Sequence, residues 1–187
     1  MIKFKESLSF DDVLLEPKYS DLQSRTEANI GTNLHDKSVN REAYDLLLPV
    51  ISSPMDTITE SKMAAAMCAA GGLGIIHRYN SVEEQSSLVR KSVDLGATDI
   101  GVAIGMTGDF IERAIEAYDA GANLFCIDVA HGHHSMMKTA LMRLREVFGK
   151  SVHIMAGNVA TLEAFDALSE WGADSVRCGI GGGSICS

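Results

Sequence analysis

Short apolar runs alternate with longer amphipathic ones along most of this chain. The runs LPVISSPM (48–55), GLGIIHR (72–78), IGVAIG (100–105), LFCIDVA (124–130), VHIMAG (152–157) and SVRCGI (175–180) are mostly apolar on both of their faces. That pattern predicts the strands of a buried parallel sheet, which must be covered on either side. Between them the apolar residues take helical spacing. Phe110, Ile111, Ala114, Ile115 and Tyr118 form one stripe, and Leu162, Phe165 and Leu168 another. Thr161 stands at a helix entry as an N-cap, and Met136, Met137 and Leu141 read as helix core.

A glycine punctuates this alternation. Gly72, Gly96, Gly121, Gly149 and Gly172 follow at intervals of 24, 25, 28 and 23 residues, each where a helix should end in a left-handed cap. Three junctions also read alike: Gly96-Ala97-Thr98, Gly121-Ala122-Asn123 and Gly172-Ala173-Asp174. Strand-then-helix alternation with right-handed crossovers makes an α/β fold of one domain. Two architectures compete. A doubly wound sheet would hold six strands in this length, whereas a (β/α)₈ barrel takes about 250 residues, so six units leave it two short. The final GIGGGSICS is a loop with no closing helix, which favours an incomplete barrel with a C-terminal segment missing. Residues up to about Leu47 hold no βα unit and are expected to cross the barrel's base, with DLQSRTEANIGTN (21–33) as a short ribbon.

Composition narrows the partners. The chain has 187 residues, 46% hydrophobic and 22% charged, with a formal net charge of −9. Such an acidic balance argues against nucleic acid or an anionic membrane surface, both of which call for clustered Lys and Arg. The polar start is unlike a signal peptide, and the apolar stretch from Met63 to Ile76 is too short to span a bilayer. A cytosolic protein is expected. Cys68, Cys126, Cys178 and Cys186 show no paired spacing, so reduced thiols are expected too.

In either architecture ligands gather at the carboxyl ends of the strands. Polar residues crowd those ends: Ser52 to Asp56, His77-Arg78, Asp128 to His134, Gly157-Asn158 and Gly179 to Cys186. The glycine-rich loop 179–184 lets a ligand approach the main chain, yet it carries neither a Walker lysine nor a dinucleotide fingerprint. Cys186 follows it, where a thiol can be exposed and partly ionised. The other three cysteines are expected to be buried. Asp128 ends an apolar strand and reads either as a loop cap or as an acceptor of ribose hydroxyls. His131, His133 and His134 have no companion pair at zinc-ligand spacing.

At these loops the chain resembles the IMP dehydrogenase/GMP reductase family, through six segments in family order. They are LSFDDVLLEP (8–17), PVISSPMDTITE (49–60), AAAMCAAGGLGIIHRYN (64–80), CIDVAHGHHS (126–135), IMAGNVAT (154–161) and VRCGIGGGSIC (176–186). The resemblance implies a (β/α)₈ barrel, a homo-oligomer (a tetramer), and oxidation of IMP to XMP with NAD. It implies that Cys186 is the nucleophile attacking purine C2, and that Ser53, Met55 and Ser184 contact the substrate. Asp128, Asn158, Arg177, Gly179, Ile180 and Gly181 would face the cofactor, with His77 or Arg78 at its far end. Carbonyls of Gly181, Gly183 and Cys186 would hold a potassium ion.

The chain also departs from the family pattern. Gly182 replaces a usual proline, His134 is an extra residue before Ser135, and only Ser81 to Thr98 stands where regulatory CBS domains usually lie. GMP reductases share the barrel, use NADPH and lack those domains. The compact length and the run Cys126 to Ala130 lean toward them, while Ser52 to Thr57, Glu60 and His131-Gly132-His133 lean toward the dehydrogenase. The site loops outweigh length, and dehydrogenase is the expectation. A non-catalytic barrel fragment that assembles with a second chain is the rival outside the family.

Overall fold

A computed structural model describes residues 8, 12–34 and 45–179. A two-residue antiparallel ladder comes first, β1 (Thr32–Asn33) with β2 (Asp45–Leu46). A six-stranded parallel sheet follows: β3 (Ile51–Ser52), β4 (Leu73–Ile76), β5 (Ile100–Ile104), β6 (Leu124–Asp128), β7 (His153–Val159) and β8 (Ser175–Cys178). The connecting helices are α1 (Ser61–Ala69), α2 (Val82–Asp94), α3 (Phe110–Ala120), α4 (Ser135–Phe148) and α5 (Leu162–Glu170). The strands lie side by side in chain order. A doubly wound sheet reverses its order at a switch point, so this curled sheet is the incomplete barrel.

Alternation along the strands divides the core. Ile76, Val102, Ile104, Phe125, Ile127, Ile154 and Ala156 face the helices and pack on Ala114, Ala117, Met137, Leu141, Leu144 and Leu168. Leu73, Ile75, Ala103, Leu124, Cys126 and Met155 cluster on the other face. Leu46 is buried among them and Leu34 packs against them, whereas residues 12–32 are exposed and do not cover the base of the sheet as the sequence suggests. The ribbon does not extend through 21–33. Arg25–Glu27 is a 3₁₀ turn capped by Ser24, and only Thr32–Asn33 pairs.

The repeated Gly-Ala-polar junction has a physical explanation. The glycine N–H bonds three residues back and the alanine N–H five back, as in Gly121 to Tyr118 and Ala122 to Ala117. This is the Schellman closure, with the glycine at positive φ in Gly96, Gly121 and Gly172. The third residue then caps the start of the preceding strand. Asn123 Oδ1 accepts from the Ile100 N–H at 2.9 Å, and Asp174 Oδ2 from the Ile154 N–H at 2.7 Å. Thr98 instead turns its N–H to Cys68 Sγ at 3.4 Å.

Several expectations need correction. Gly71, with φ +81°, supplies the left-handed residue after α1, in place of Gly72. The strand expected over 48–55 shrinks to Ile51–Ser52, because residues from Ser53 fold into a turn. Leu162 is 75% exposed, and Phe165, Ile115, Tyr118 and Met136 are also exposed, leaving Ala114, Ala164 and Leu168 to do the packing. Cys68 is half-buried and Cys178 exposed, contrary to the expectation of burial. Cys178 lies on β8, which is an outer strand of the sheet among the described residues.

Helix α1 rests directly on β4 at one point. A Cβ on Gly74 would stand 2.5 Å from Ala64 Cα and 3.0 Å from its Cβ. Backbone cannot rotate out of the way as a side chain can, so Gly74→Ala should cost about 2 kcal/mol of stability. Urea denaturation of the variant against the parent checks this, and an unchanged midpoint would mean that α1 floats freely over the sheet.

Candidate active site at the strand ends

The inner face rises through rows set by the strand register. Ala103, Cys126, Met155 and Ser175 form one row; Asp128, Gly157 and Arg177 form the next, at the carboxyl ends. Asp128 and Arg177 are two strands apart, yet Arg177 Nη1 pairs with Asp128 Oδ1. Gly157, between them, makes this possible. A Cβ there would sit 2.5 Å from Arg177 Cβ and 2.9 Å from its carbonyl oxygen. The arginine therefore crosses over bare backbone to reach the carboxylate.

Cys126 lies below this pair, fully buried, with Arg177 Nη1 at 3.5 Å from its Sγ. Burial pushes the Cys126 thiol up to about 11, although the nearby guanidinium opposes the shift. Burial also works against the Arg177 charge, but Cys126 and Asp128 outweigh it and raise its pKa above the ordinary value. Cys126 is thus a protonated, inert thiol and no rival to an exposed nucleophile.

Asn158 stands beside the pair. The β7–β8 register slips between Gly157 and Val159, so Asn158 is the extra residue of a bulge. Its Nδ2 donates to the Gly179 carbonyl at 2.9 Å. Its backbone N–H donates to the Val129 carbonyl at 2.7 Å, and its own carbonyl accepts from the Gly132 N–H at 2.7 Å. The turn after β3 is closed on itself. Met55 carbonyl accepts from the N–H groups of Ile58 and Thr59, and the buried Thr59 hydroxyl donates to the Ser53 carbonyl at 2.6 Å. That leaves the Ser53 side chain exposed and Met55 half-buried.

Two residues after β4 take different roles. His77 is buried; its Nδ1 accepts from the Tyr79 N–H at 3.2 Å, which puts the proton on Nε2, 3.5 Å from Glu60 Oε1. Arg78 turns toward β6, with Nη2 3.4 Å from the Asp128 carbonyl. With Gly105, Thr107, Arg113, Val129 and Met136 it lines a cavity of about 170 Å³. Arg113 is already engaged, by Asp109 at 2.9 Å and the Asn80 carbonyl at 3.0 Å. His134 is the N-cap of α4, its Nδ1 accepting from the Met136 N–H at 3.1 Å. His133 stacks against Trp171 at 5.9 Å. Among the described residues no group of three potential ligands surrounds a metal position.

Sequence reasoning passed over Gln85 and Arg113. Gln85 Nε2 donates to the carbonyls of His77 and Ala103, and Arg113 ties α3 to the loop after β4. Polar residues on the buried side of an amphipathic helix were the available signal. Ile180, Gly181, Gly183, Ser184 and Cys186 lie outside the described residues.

Parallel βα units with their polar residues collected at one end of the sheet define an α/β half-barrel, a fold in which ligands gather at the strand ends. The model for the IMP dehydrogenase / GMP reductase domain matches residues 7–187, and the chain belongs to that family. It is 34% identical to the inosine-5'-monophosphate dehydrogenase of Cryptosporidium parvum over 226 residues, covering 97% of this chain and 53% of that one. It is 33% identical to the GMP reductase of Ascaris suum, covering 100% of this chain and 52% of the relative. The crystal structure of inosine 5' monophosphate dehydrogenase from Legionella pneumophila superposes with a TM-score of 0.81 at 41% identity, covering 97% of this chain and 53% of that one. The chain therefore spans about half the length of these relatives. The family is one of oxidoreductases. Among the described residues no helix is long and apolar enough to cross a membrane.

The buried thiol gives a pH test. The folded chain holds the Cys126 proton more tightly than the unfolded chain does. The resulting stability is present below about pH 8.5 and is lost as pH rises toward the folded value, about 11. Relative to Cys126→Ala, the parent should lose stability across that interval. Urea midpoints that stay parallel would show the thiol open to solvent.

Proposed function

We propose that this chain carries the nucleotide-oxidising site of an IMP dehydrogenase, converting IMP to XMP with NAD through a covalent adduct on Cys186. The observation that carries the reading is the Asp128 carboxylate, fixed by Arg177 at the strand ends, with its backbone carbonyl in contact with Arg78, which lines a cavity. Arg177 occupies Oδ1 and leaves Oδ2 as an acceptor. An ionised carboxylate can only accept, and ribose hydroxyls can donate to it. Arg78 at the cavity wall adds positive charge where the far end of a dinucleotide would lie. These residues fit the cofactor.

In this reading the Cys186 thiolate adds to purine C2 and forms a C–S bond. The C2 hydrogen then departs with its electron pair, and bound NAD supplies the acceptor for that hydride. Water next hydrolyses the thioimidate, releasing XMP and restoring the thiol, so one difficult oxidation becomes two easier steps. Ser53, Met55 and Ser184 would orient the nucleotide. Asp128, Asn158, Arg177, Gly179, Ile180 and Gly181 would shape the cofactor side and keep the two rings in contact. Gly181, Gly183 and Cys186 would hold potassium through their carbonyls. The activity is expected of a cytosolic homo-oligomer.

A second reading, NADPH-dependent conversion of GMP to IMP, has its own support. Strand β5 follows helix α2 after a short turn, with no inserted domain between them. The GMP reductase of Buchnera aphidicola aligns over only 182 residues, whereas the dehydrogenase of Bacillus subtilis needs 310.

Four measurements in the complete protein test these readings. Cys186→Ala should abolish IMP-dependent NADH formation, read at 340 nm, with nucleotide binding retained; near-parent turnover would remove the nucleophile. Asp128→Ala should raise the cofactor KM at least about tenfold more than the IMP KM, as the loss of a charge-assisted bond implies, and potassium should support more activity than sodium. Faster turnover of GMP with NADPH would favour the reductase. The 187-residue chain by itself should be inactive and self-associating in sedimentation, because β3 and β8 each lack a neighbour on one side among the described residues. Adding the C-terminal half of a relative should restore a single species with activity, and turnover by the short chain alone would overturn that expectation.

A further inference from the structure

We propose that Asn158 is a positioning residue for the nucleophile loop, fastening the start of that loop to the loop after β6 at a single point. The inference rests on the reading of Cys186 given above, and it assigns Asn158 a task other than touching the cofactor. Three bonds converge on this residue. Its side-chain amide donates to the Gly179 carbonyl at 2.9 Å, where β8 gives way to the glycine-rich stretch. Its backbone N–H holds the Val129 carbonyl and its carbonyl holds the Gly132 N–H, each at 2.7 Å. Gly179 is clasped from the other side as well, its own N–H donating to the Val159 carbonyl at 2.7 Å.

The bulge explains why the asparagine can do this. In regular alternation the residue after the inward Gly157 would point outward to the helices. The extra residue between Gly157 and Val159 releases Asn158 from that pattern, and its side chain turns along the strand ends instead. Gly132 completes the fit. A Cβ there would stand 3.0 Å from the Asn158 carbonyl oxygen and 3.3 Å from the Gly157 carbonyl carbon, so the β6 loop comes close only without a side chain. A run of glycines has little stiffness of its own. From Gly179 to Cys186 the sequence holds four glycines, Gly179, Gly181, Gly182 and Gly183, and Gly179, the first of them, is the one that Asn158 holds. Only the amide nitrogen provides the donor. Aspartate has the same shape and cannot donate when ionised.

Asn158→Asp in the full chain tests this, with the backbone bonds to Val129 and Gly132 left available. Without any nucleotide, the Gly179 amide should exchange at least about fivefold faster than in the parent, the effect of losing one ordinary hydrogen bond. Alkylation of Cys186 by iodoacetamide, followed by peptide mass, should change at least about threefold in rate, within the effect of one such bond. Below about pH 4 the new carboxyl takes up a proton and can donate again, and the Gly179 exchange ratio to the parent should return toward one. If Asn158→Asp fails to fold, Asn158→Ala lacks the same donor without the charge and should show the same faster exchange. A variant with parent-like Gly179 exchange and Cys186 alkylation, and only a raised cofactor KM, would make Asn158 a cofactor contact and overturn the proposal. An active Cys186→Ala enzyme would instead remove the nucleophile reading, while faster Gly179 exchange would still establish the strap.

Discussion

A strand buried on both faces must satisfy two sets of neighbours at once, and this constraint organises the molecule. Outward residues meet the helices, and inward residues meet each other. Large side chains on both sides would force the layers apart, so glycine appears wherever backbone must come close. Gly74 lets α1 sit on β4 from outside, and Gly101 makes room inside for Ile75 and Leu124. Near the carboxyl ends, where the inner rows turn polar, Gly157 serves a charge pair instead of an apolar contact. The same device, a missing Cβ, thus packs the core and builds the site.

The site is as much a matter of backbone as of side chains. The loops after β6, β7 and β8 are cross-linked by main-chain bonds at Val129, Gly132, Asn158 and Gly179. Around them the turn after β3 closes on Thr59, and the loop after β4 is held by Gln85 and Arg113. Five loops are therefore braced at one end of the sheet. Preorganisation of this kind suits a site that must hold its ligand in one orientation.

Much of this was legible in the sequence, and the reasons are specific. The strands read clearly because double burial leaves few polar residues in them. The helix ends read clearly because the Schellman closure requires glycine; that Asn123 and Asp174 also cap the start of a strand is visible only in the structure. Asp128 stood out as a carboxylate ending an apolar strand. Less could be foreseen where geometry depends on partners distant in the chain. Nothing in the spacing of Asp128 and Arg177 shows that Gly157 lies between them, and a bulge at Asn158 leaves no mark in a hydropathy pattern. Exposure was misjudged at Leu162 and Phe165 because an apolar stripe does not say which of its members meet the sheet. Cys178 was misjudged because its neighbours in sequence look like core while its strand has an open side among the described residues.

The pairing of Asp128 with Arg177 also shapes the electric field at the mouth of the sheet. A chain with a net charge of −9 ought to repel nucleotides, which are anions themselves. The carboxylate at the strand ends is the one that would do so most directly, and its charge is cancelled at contact range by a guanidinium held in place by the fold. The excess negative charge on the outer surface is screened within about 8 Å at physiological salt. An approaching phosphate would meet a locally neutral rim, with Arg78 as the nearest uncompensated cation among the cavity-lining residues. An acidic protein can in this way keep the solubility that its surface charge provides and still admit an anionic ligand.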